Sequence, residues 1–252
     1  MSLLIQNAGT TVLNYAHWFF YGRSRAGKTT AAGTFPRPLF LVPKQEGSHA
    51  TLLGRADVDF ILLEGTMTMA EALNDLDNRL LRANAFWKRG DEESLVRGDE
   101  IFPWGTVVVE SITHYCDLIQ EELTDGDKTM MSQWKWGKIS THLRHVQTRL
   151  RNLPVHAIFT SLDEEIYERD DDGKNILKSG RPMFPGKMTF KLPSACDCIV
   201  YFERKSGKPN DIFTAHLQPH GVFLAGCRPP QLKSIKSLRP FQFSEVATHF
   251  GW

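Results

Sequence analysis

The sequence predicts an α/β fold, with a mainly parallel central sheet flanked by helices and further antiparallel strands toward the C-terminus. Three observations predict it. Short apolar runs that lack alternation, the mark of strands buried on both faces, recur between stretches of helical periodicity. Through residue 161 the order is strand, helix, strand, strand, helix, strand, helix, helix, strand, which implies a parallel sheet covered on both sides. After Asp163 the helical pattern gives way to short strands separated by turns.

"AHWFFYG" (16–22) is an apolar, aromatic run closed by glycine and reads as a buried strand. A helix follows from about Lys28 and must stop before Pro36 and Pro38. "LFLV" (39–42) and "DFILLEG" (59–65) read as two more buried strands. Thr68 and Glu71 have the spacing of a capping box, and Met69, Leu73, Leu76 and Leu80 recur behind them at helical intervals. Residues 84–100 are charged and unperiodic, as expected of a loop or insertion. "GTVVVES" (105–111) is an apolar strand closed by a carboxylate. Ile112, Tyr115, Cys116, Ile119 and Leu123 mark one face of the next helix, and turn residues break the pattern over 124–137. Ile139, Leu143, Val146, Leu150 and Leu153 mark another helix, and "VHAIFTS" (155–161) another buried strand. Beyond it comes a hairpin turning at Asp172–Gly173, then "CDCIVYFER", "DIFTAHLQ" and "VFLAG" as strands extending the sheet antiparallel.

At 252 residues and 41% hydrophobic composition, the chain can bury a sizeable core. No internal repeat or low-complexity linker divides it, so a single domain over 1–252 is expected. Thirty basic side chains face 29 acidic ones, so any polyanion must be held by a local patch rather than a global field. Cys116, Cys196, Cys198 and Cys227 are too scattered for a disulfide framework, and the 196–198 spacing does not suit a zinc knuckle. The first residues lack the basic start and apolar run of a signal peptide. No window approaches the ~18 apolar residues of a membrane span. A soluble, cytoplasmic protein without membrane contact is expected.

Gly22–Thr29 reads G-x-x-x-x-G-K-T, between a strand and a helix. That context suits a loop whose backbone wraps phosphates at a helix N-terminus. The expected binding stretch is Gly22, Arg23, Ser24, Arg25, Ala26, Gly27, Lys28, Thr29 and Thr30. Lys28 would reach the β- and γ-phosphates of ATP, the Thr29 hydroxyl would ligate Mg²⁺, and Thr30 would approach the α-phosphate. A nucleotide hydrolase also needs a carboxylate near Mg²⁺ at a strand end. Glu110 supplies one, or else caps the helix that follows. Glu46, just past the second strand, can orient an attacking water or be a solvated loop residue. Thr160 and Ser161 end a central strand, where a hydroxyl can sense the γ-phosphate or merely cap the strand.

The segments "GRSRAGKTT", "PRPLFLVPKQEGS", "WGTVVVES", "LPVHAIFTS", "PMFPGKMTFKLPSACDCIVYF" and "AGCRPPQL" occur in an order that resembles the bacteriophage RecA-core ATPases of the Sak-four type. The resemblance runs from about Phe19 to the C-terminus. It implies a RecA-like P-loop NTPase core that binds ATP and Mg²⁺ and acts on single-stranded DNA in phage recombination or annealing. By position, Glu46 matches the water-activating glutamate, although "VPKQ" replaces a "DTE"-like turn, and Glu110 stands where aspartate is usual. Arg228 occupies the place of a cation that reaches a neighbour's nucleotide. The resemblance further implies a homo-oligomer, filament or ring, and a single-strand binding protein as a partner.

The same resemblance places DNA contacts in two segments. The first, 127–138, offers Lys128, Trp134, Lys135, Trp136 and Lys138, a mixture suited to base stacking and phosphate contact. The second, 163–191, offers Lys174, Lys178, Arg181 and Lys187. The tryptophans can equally pack against the sheet or an interface. Other functions also stay open: a P-loop kinase of a small acceptor, a helicase-type motor, or a module that binds ATP without hydrolysing it.

Overall fold

The computed structural model describes residues 14–89, 92–207 and 210–250. The N-terminal stretch read above as lacking a signal lies outside them. The first half contains β1 (His17–Gly22), α1 (Lys28–Ala32), β2 (Pro38–Pro43), β3 (Asp59–Leu63), α2 (Thr66–Trp87), α3 (Glu92–Ile101), β4 (Thr106–Val109) and α4 (Ile112–Thr124). The second half contains α5 (Gln133–Arg151), β5 (His156–Ser161), β6 (Asp163–Arg169), β7 (Asn175–Pro182), α6 (Met188–Ser194), β8 (Cys198–Lys205), β9 (Ile212–His216), β10 (Gly226–Cys227), β11 (Ser237–Leu238) and α7 (Phe243–Phe250).

The central sheet runs β11-β9-β8-β1-β5-β4-β2-β3, with β10 also paired to β8. The six strands from β8 to β3 are parallel. Successive side chains of a strand point to opposite faces. Phe19, Tyr21, Leu39, Leu41, Val107 and Phe159 therefore join one core with α2, α4 and α5. Trp18, Phe20, Phe40, Val108, Ile158 and Val200 join a second core with α1 and α7. Two buried faces explain why these strands read as unbroken apolar runs.

Several sequence expectations need correction. β3 is an edge strand, not a buried one: Phe60 and Leu62 are exposed, and only Leu63 is buried. Thr68 is the third residue of α2 rather than its cap, and its hydroxyl accepts from the Glu64 and Gly65 backbone N–H groups. Residues 84–100 are largely helical, because α2 runs on to Trp87 and α3 folds back beside it. Gly98 permits that approach, since a Cβ there would sit 2.5 Å from Trp87 Nε1. Residues 133–137 belong to the first turns of α5, where the Ser132 hydroxyl accepts from Lys135 N.

The hairpin β6–β7 turns where expected but forms its own two-stranded sheet. β8 is parallel to β1, because α6 returns the chain to the starting edge, so the antiparallel additions are β9 and β10 beside β8 and β11 beside β9. "VFLAG" contributes only Gly226 to a strand; Val222–Ala225 is a turn and irregular segment. No disulfide joins the four cysteines. Among the described residues no helix is long and apolar enough to cross a membrane.

Candidate nucleotide site

The carboxyl ends of the parallel strands carry the candidate residues, where open α/β sheets form their ligand crevices. The loop 22–27 leaves β1 and enters α1. Gly22 has φ 151°, and a Cβ there would lie 2.2 Å from the Phe202 carbonyl oxygen, so β8 and the loop approach through glycine alone. Gly27 takes the left-handed conformation (φ 94°) just before α1. Arg25 is also left-handed (φ 62°), which costs a non-glycine residue roughly 1–3 kcal/mol and marks a shape imposed by the loop. Arg23, Ser24, Arg25 and Thr30 are exposed on the loop and first turn, while Ala26 is buried.

Lys28 is buried, and its Nζ donates to the carbonyls of Gly22 (2.8 Å) and Arg23 (2.9 Å). The ammonium is thus held inside the curl of the loop. Burial lowers its pKa, while Glu110, Asp163 and Glu46 counteract through their charge. The Thr29 hydroxyl donates to Glu110 Oε1 at 3.0 Å. Glu therefore reaches the phosphate loop directly despite its extra methylene. Glu110 is buried, which raises its pKa against the opposing pull of Lys28, Thr160 and Thr29. Its Oε2 and the Thr160 hydroxyl are buried side by side without a well-formed hydrogen bond. A buried carboxylate oxygen with no donor, beside a threonine hydroxyl at a phosphate loop, is the oxygen-rich chemistry that Mg²⁺ takes. The donor set fits a nucleotide with its magnesium, held by loop 22–30, Thr29 and Glu110.

Glu46 follows β2 at this same edge, and its Oε2 lies 2.6 Å from His114 Nδ1 in α4. His114 lowers the Glu46 pKa, and Glu46 raises that of His114. The two strand-end hydroxyls diverge because adjacent residues face opposite ways. Thr160 faces Glu110, whereas Ser161 Oγ lies 3.0 Å from Thr113 Oγ1 and donates to the Leu162 carbonyl.

Sequence reasoning missed His114 and Asp163. Asp163, half-buried beside Lys28 and Arg23, has its pKa raised by burial, and its Oδ2 has no hydrogen-bond partner. Both follow the carboxyl end of a central strand by a few residues, a position worth scanning for ionisable groups. Glu165, also missed, receives Arg23 Nη2 at 2.6 Å and ties the loop to hairpin β6–β7.

The remaining candidates lie farther out. α5 is about 28 Å long at 1.5 Å per residue and ends just before β5 begins, so its first turn lies toward the carboxyl edge of the sheet. Trp134 is 66% exposed there, with Lys138 Nζ 3.8 Å from the ring centroid. Trp136 instead packs toward the core, Lys135 is half-buried, and the Lys128 side chain lies outside the described residues. On the hairpin, Lys178 pairs with Glu168 and Arg181 with Glu164, while Lys174 is exposed; Lys187, just before α6, is exposed as well. Arg228 sits at the opposite, amino edge, where its N–H bonds the Asp197 carbonyl (2.8 Å) and its guanidinium donates to the Ser194 carbonyl.

No curated protein matches the chain in sequence. Among solved structures, a KaiC-like protein from the hyperthermophilic archaeon Pyrococcus horikoshii is similar over 89% of this chain and 84% of its own, at 11% identity and a TM-score of 0.45. The family model described as AAA domain matches residues 14–228, which include the phosphate loop, Glu46, Glu110 and the strand end at Thr160. The chain belongs to this family, AAA_24, and is a P-loop NTPase of the AAA type.

Proposed function

We propose that the protein is a magnesium-dependent ATPase whose turnover is governed by single-stranded DNA, acting as a homo-oligomer in phage recombination or annealing within the host cytoplasm. The AAA-type P-loop fold supports ATP binding and hydrolysis. The Thr29–Glu110 hydrogen bond, with Lys28 held in the loop beside it, is the observation that carries the ATPase reading. Lys28 would neutralise the β- and γ-phosphates, Thr29 and Glu110 would hold Mg²⁺, and Glu46 would orient water.

The DNA part rests on the sequence resemblance to Sak-four ATPases and on Trp134. An exposed indole with a cation on its face, at the edge that carries the nucleotide residues, suits stacking on an unpaired base. Hairpin β6–β7 is a poorer polyanion contact than the sequence suggested. Residues 163–182 carry seven acidic against four basic side chains, and two of those cations are already paired. DNA contact is therefore assigned to the beginning of α5. The test is ATP turnover with and without an oligonucleotide. Stimulation by single-stranded DNA is expected; turnover that ignores DNA at every concentration would overturn the DNA assignment, and absence of turnover would overturn the ATPase itself.

A further inference from the structure

We propose that Glu203, His216 and His220 form a binding site for a divalent transition-metal ion of the zinc class. This site is separate from the nucleotide residues and plays no part in the reading above. Each residue offers one ligand atom, and the three atoms lie within 4.8 Å of one another. His216 Nε2 is 3.3 Å and His220 Nε2 is 4.0 Å from the same oxygen, Glu203 Oε2. Zinc–ligand bonds of about 2.0–2.1 Å in a tetrahedron place neighbouring ligand atoms about 3.3 Å apart. The Glu203–His216 edge already has that length, whereas His220 must both approach Glu203 and turn its ring to complete the set.

The fold explains the convergence. Tyr201 faces His216 and Glu203 faces Thr214 across antiparallel β8 and β9, so Glu203 and His216 are diagonal neighbours on one face. These two ligands are fixed by the sheet, and His216 is buried and stacked near Tyr201. The third comes from the turn that follows β9. His220 and Phe223 bond each other through their backbones, with Gly221 in the left-handed region between them. Phe223 in turn stacks on Tyr201, with centroids 4.0 Å apart and planes 9° from parallel.

Ligand type narrows the ion. Two imidazoles and one carboxylate form the three-ligand set of open zinc sites, whereas Mg²⁺ and Ca²⁺ prefer oxygen alone. A water would complete the tetrahedron. The two imidazoles now stack, 3.8 Å apart and 17° from parallel. A single ion must lie near the plane of both rings, so binding requires the stack to open. His220, 44% exposed and on a turn, is the ring able to rotate. Lys205 Nζ, 3.3 Å from Glu203 Oε2, competes for the carboxylate but is itself largely exposed and can swing away.

Glu203 also lines a cleft of about 540 Å³ shared with Arg23, Ser24, Glu165, Tyr201 and Phe223. An ion here would pin the 217–223 turn to β8 and β9 and stiffen the cleft wall beside the phosphate loop.

The experiment titrates Zn²⁺, and Co²⁺ as a spectroscopic probe, into the full-length, untagged protein after chelator treatment. One equivalent of Zn²⁺ is expected, with Co²⁺ giving the visible absorption of a four-coordinate ion. The exposed His220→Ala variant should bind at least ~30-fold more weakly, in the range a disturbed metal site loses. Glu203→Gln should do the same, and both should unfold at the wild-type temperature when metal-free. Cys198 and Cys227 are neighbours across β8 and β10 and are the rival ligands, so Cys227→Ser should leave affinity unchanged. Absence of saturable binding would overturn the proposal. So would binding that survives His220→Ala and is lost in Cys227→Ser.

Discussion

Glu46 Oε2 lies 2.6 Å from His114 Nδ1, which ties the loop after β2 to the first turns of α4. Each group favours the charged form of the other. The Glu46 hydrogen bond and charge raise the His114 pKa above the ordinary 6.5, against partial burial, and Asp117 and Glu110 add to the effect. His114 holds Glu46 below the ordinary 4.5, with Ser48 assisting and burial opposing. The pair's stabilisation is thus present between the two ordinary values. It fades as pH falls through the lowered Glu46 pKa, or rises through the raised His114 pKa.

If Glu46 orients the attacking water, as proposed, this pairing should set the pH dependence of turnover. A water-orienting carboxylate must be ionised, so the acid limb of kcat reports Glu46. His114→Ala should move that limb up toward 4.5, the ordinary carboxylate value. It should also lower kcat about tenfold while leaving KM for ATP within about twofold, because His114 contacts Glu46 and does not line the pocket around the phosphate loop. His114→Gln should recover part of kcat but not the acid shift, separating position from charge. An unchanged pH profile in His114→Ala would remove Glu46 from catalysis.

Glu110→Gln tests the metal role of the carboxylate. The amide oxygen can still accept from Thr29, so the fold should survive, yet one negative charge is gone. The Mg²⁺ needed for half-maximal turnover should rise about tenfold or more, the cost typical of a weakened metal site. A titration identical to wild type, with normal turnover, would reduce Glu110 to a residue that only orders the loop.

The strands of the sheet were legible because both faces are buried, which writes them as unbroken apolar runs, and the phosphate loop because glycine and lysine are required at fixed places. β3 misled because a parallel edge strand carries the same apolar residues as a central one: Phe60 and Leu62 look buried in sequence and are exposed. α3 was hidden because its charges mask any period. His114, Asp163 and Glu165 were invisible for a different reason. Each acts through a partner distant in sequence, and only the folded sheet edge brings Glu46, Lys28 and Arg23 to them. β8 was placed correctly as a strand but given the wrong direction, since one short helix, α6, decides it.

Trp134→Ala should weaken binding of single-stranded DNA by about 1–3 kcal/mol, the usual contribution of one stacked base. Basal ATP turnover should not change, because Trp134 is exposed and does not line the pocket around the phosphate loop. Trp136→Ala should instead lower thermal stability, since its ring packs against the core. Filter-binding isotherms of wild type and Trp134→Ala check the affinity, ATP turnover without DNA checks the basal rate, and the melting curve of Trp136→Ala checks the packing role. Equal DNA affinity in wild type and Trp134→Ala would exclude the start of α5 as the contact.

Arg228 offers a test of assembly. It follows β10, which pairs with Cys198 and Ile199 of β8, and those residues align with Trp18 and Phe19 at the beginning of β1. The phosphate loop begins at the other end of that strand, about 13 Å away at 3.3 Å per residue. Arg228 is therefore placed away from its own nucleotide, and any role in hydrolysis must be toward a neighbouring subunit, as proposed from the sequence resemblance. Lys28→Ala disables the loop of the subunit that carries it; Arg228→Ala would disable the adjoining one. Each variant alone should be inactive. In an equal mixture about a quarter of head-to-tail interfaces join an intact Lys28 to an intact Arg228, so a comparable fraction of turnover should return. The alternative is local: Arg228 binds the Ser194 carbonyl at the end of α6 and so fastens that helix to β10. In that case Arg228→Ala lowers the unfolding temperature, and mixing it with Lys28→Ala restores nothing. ATP turnover measured across mixing ratios, beside the melting curve of each variant, decides between a trans-acting cation and a structural one.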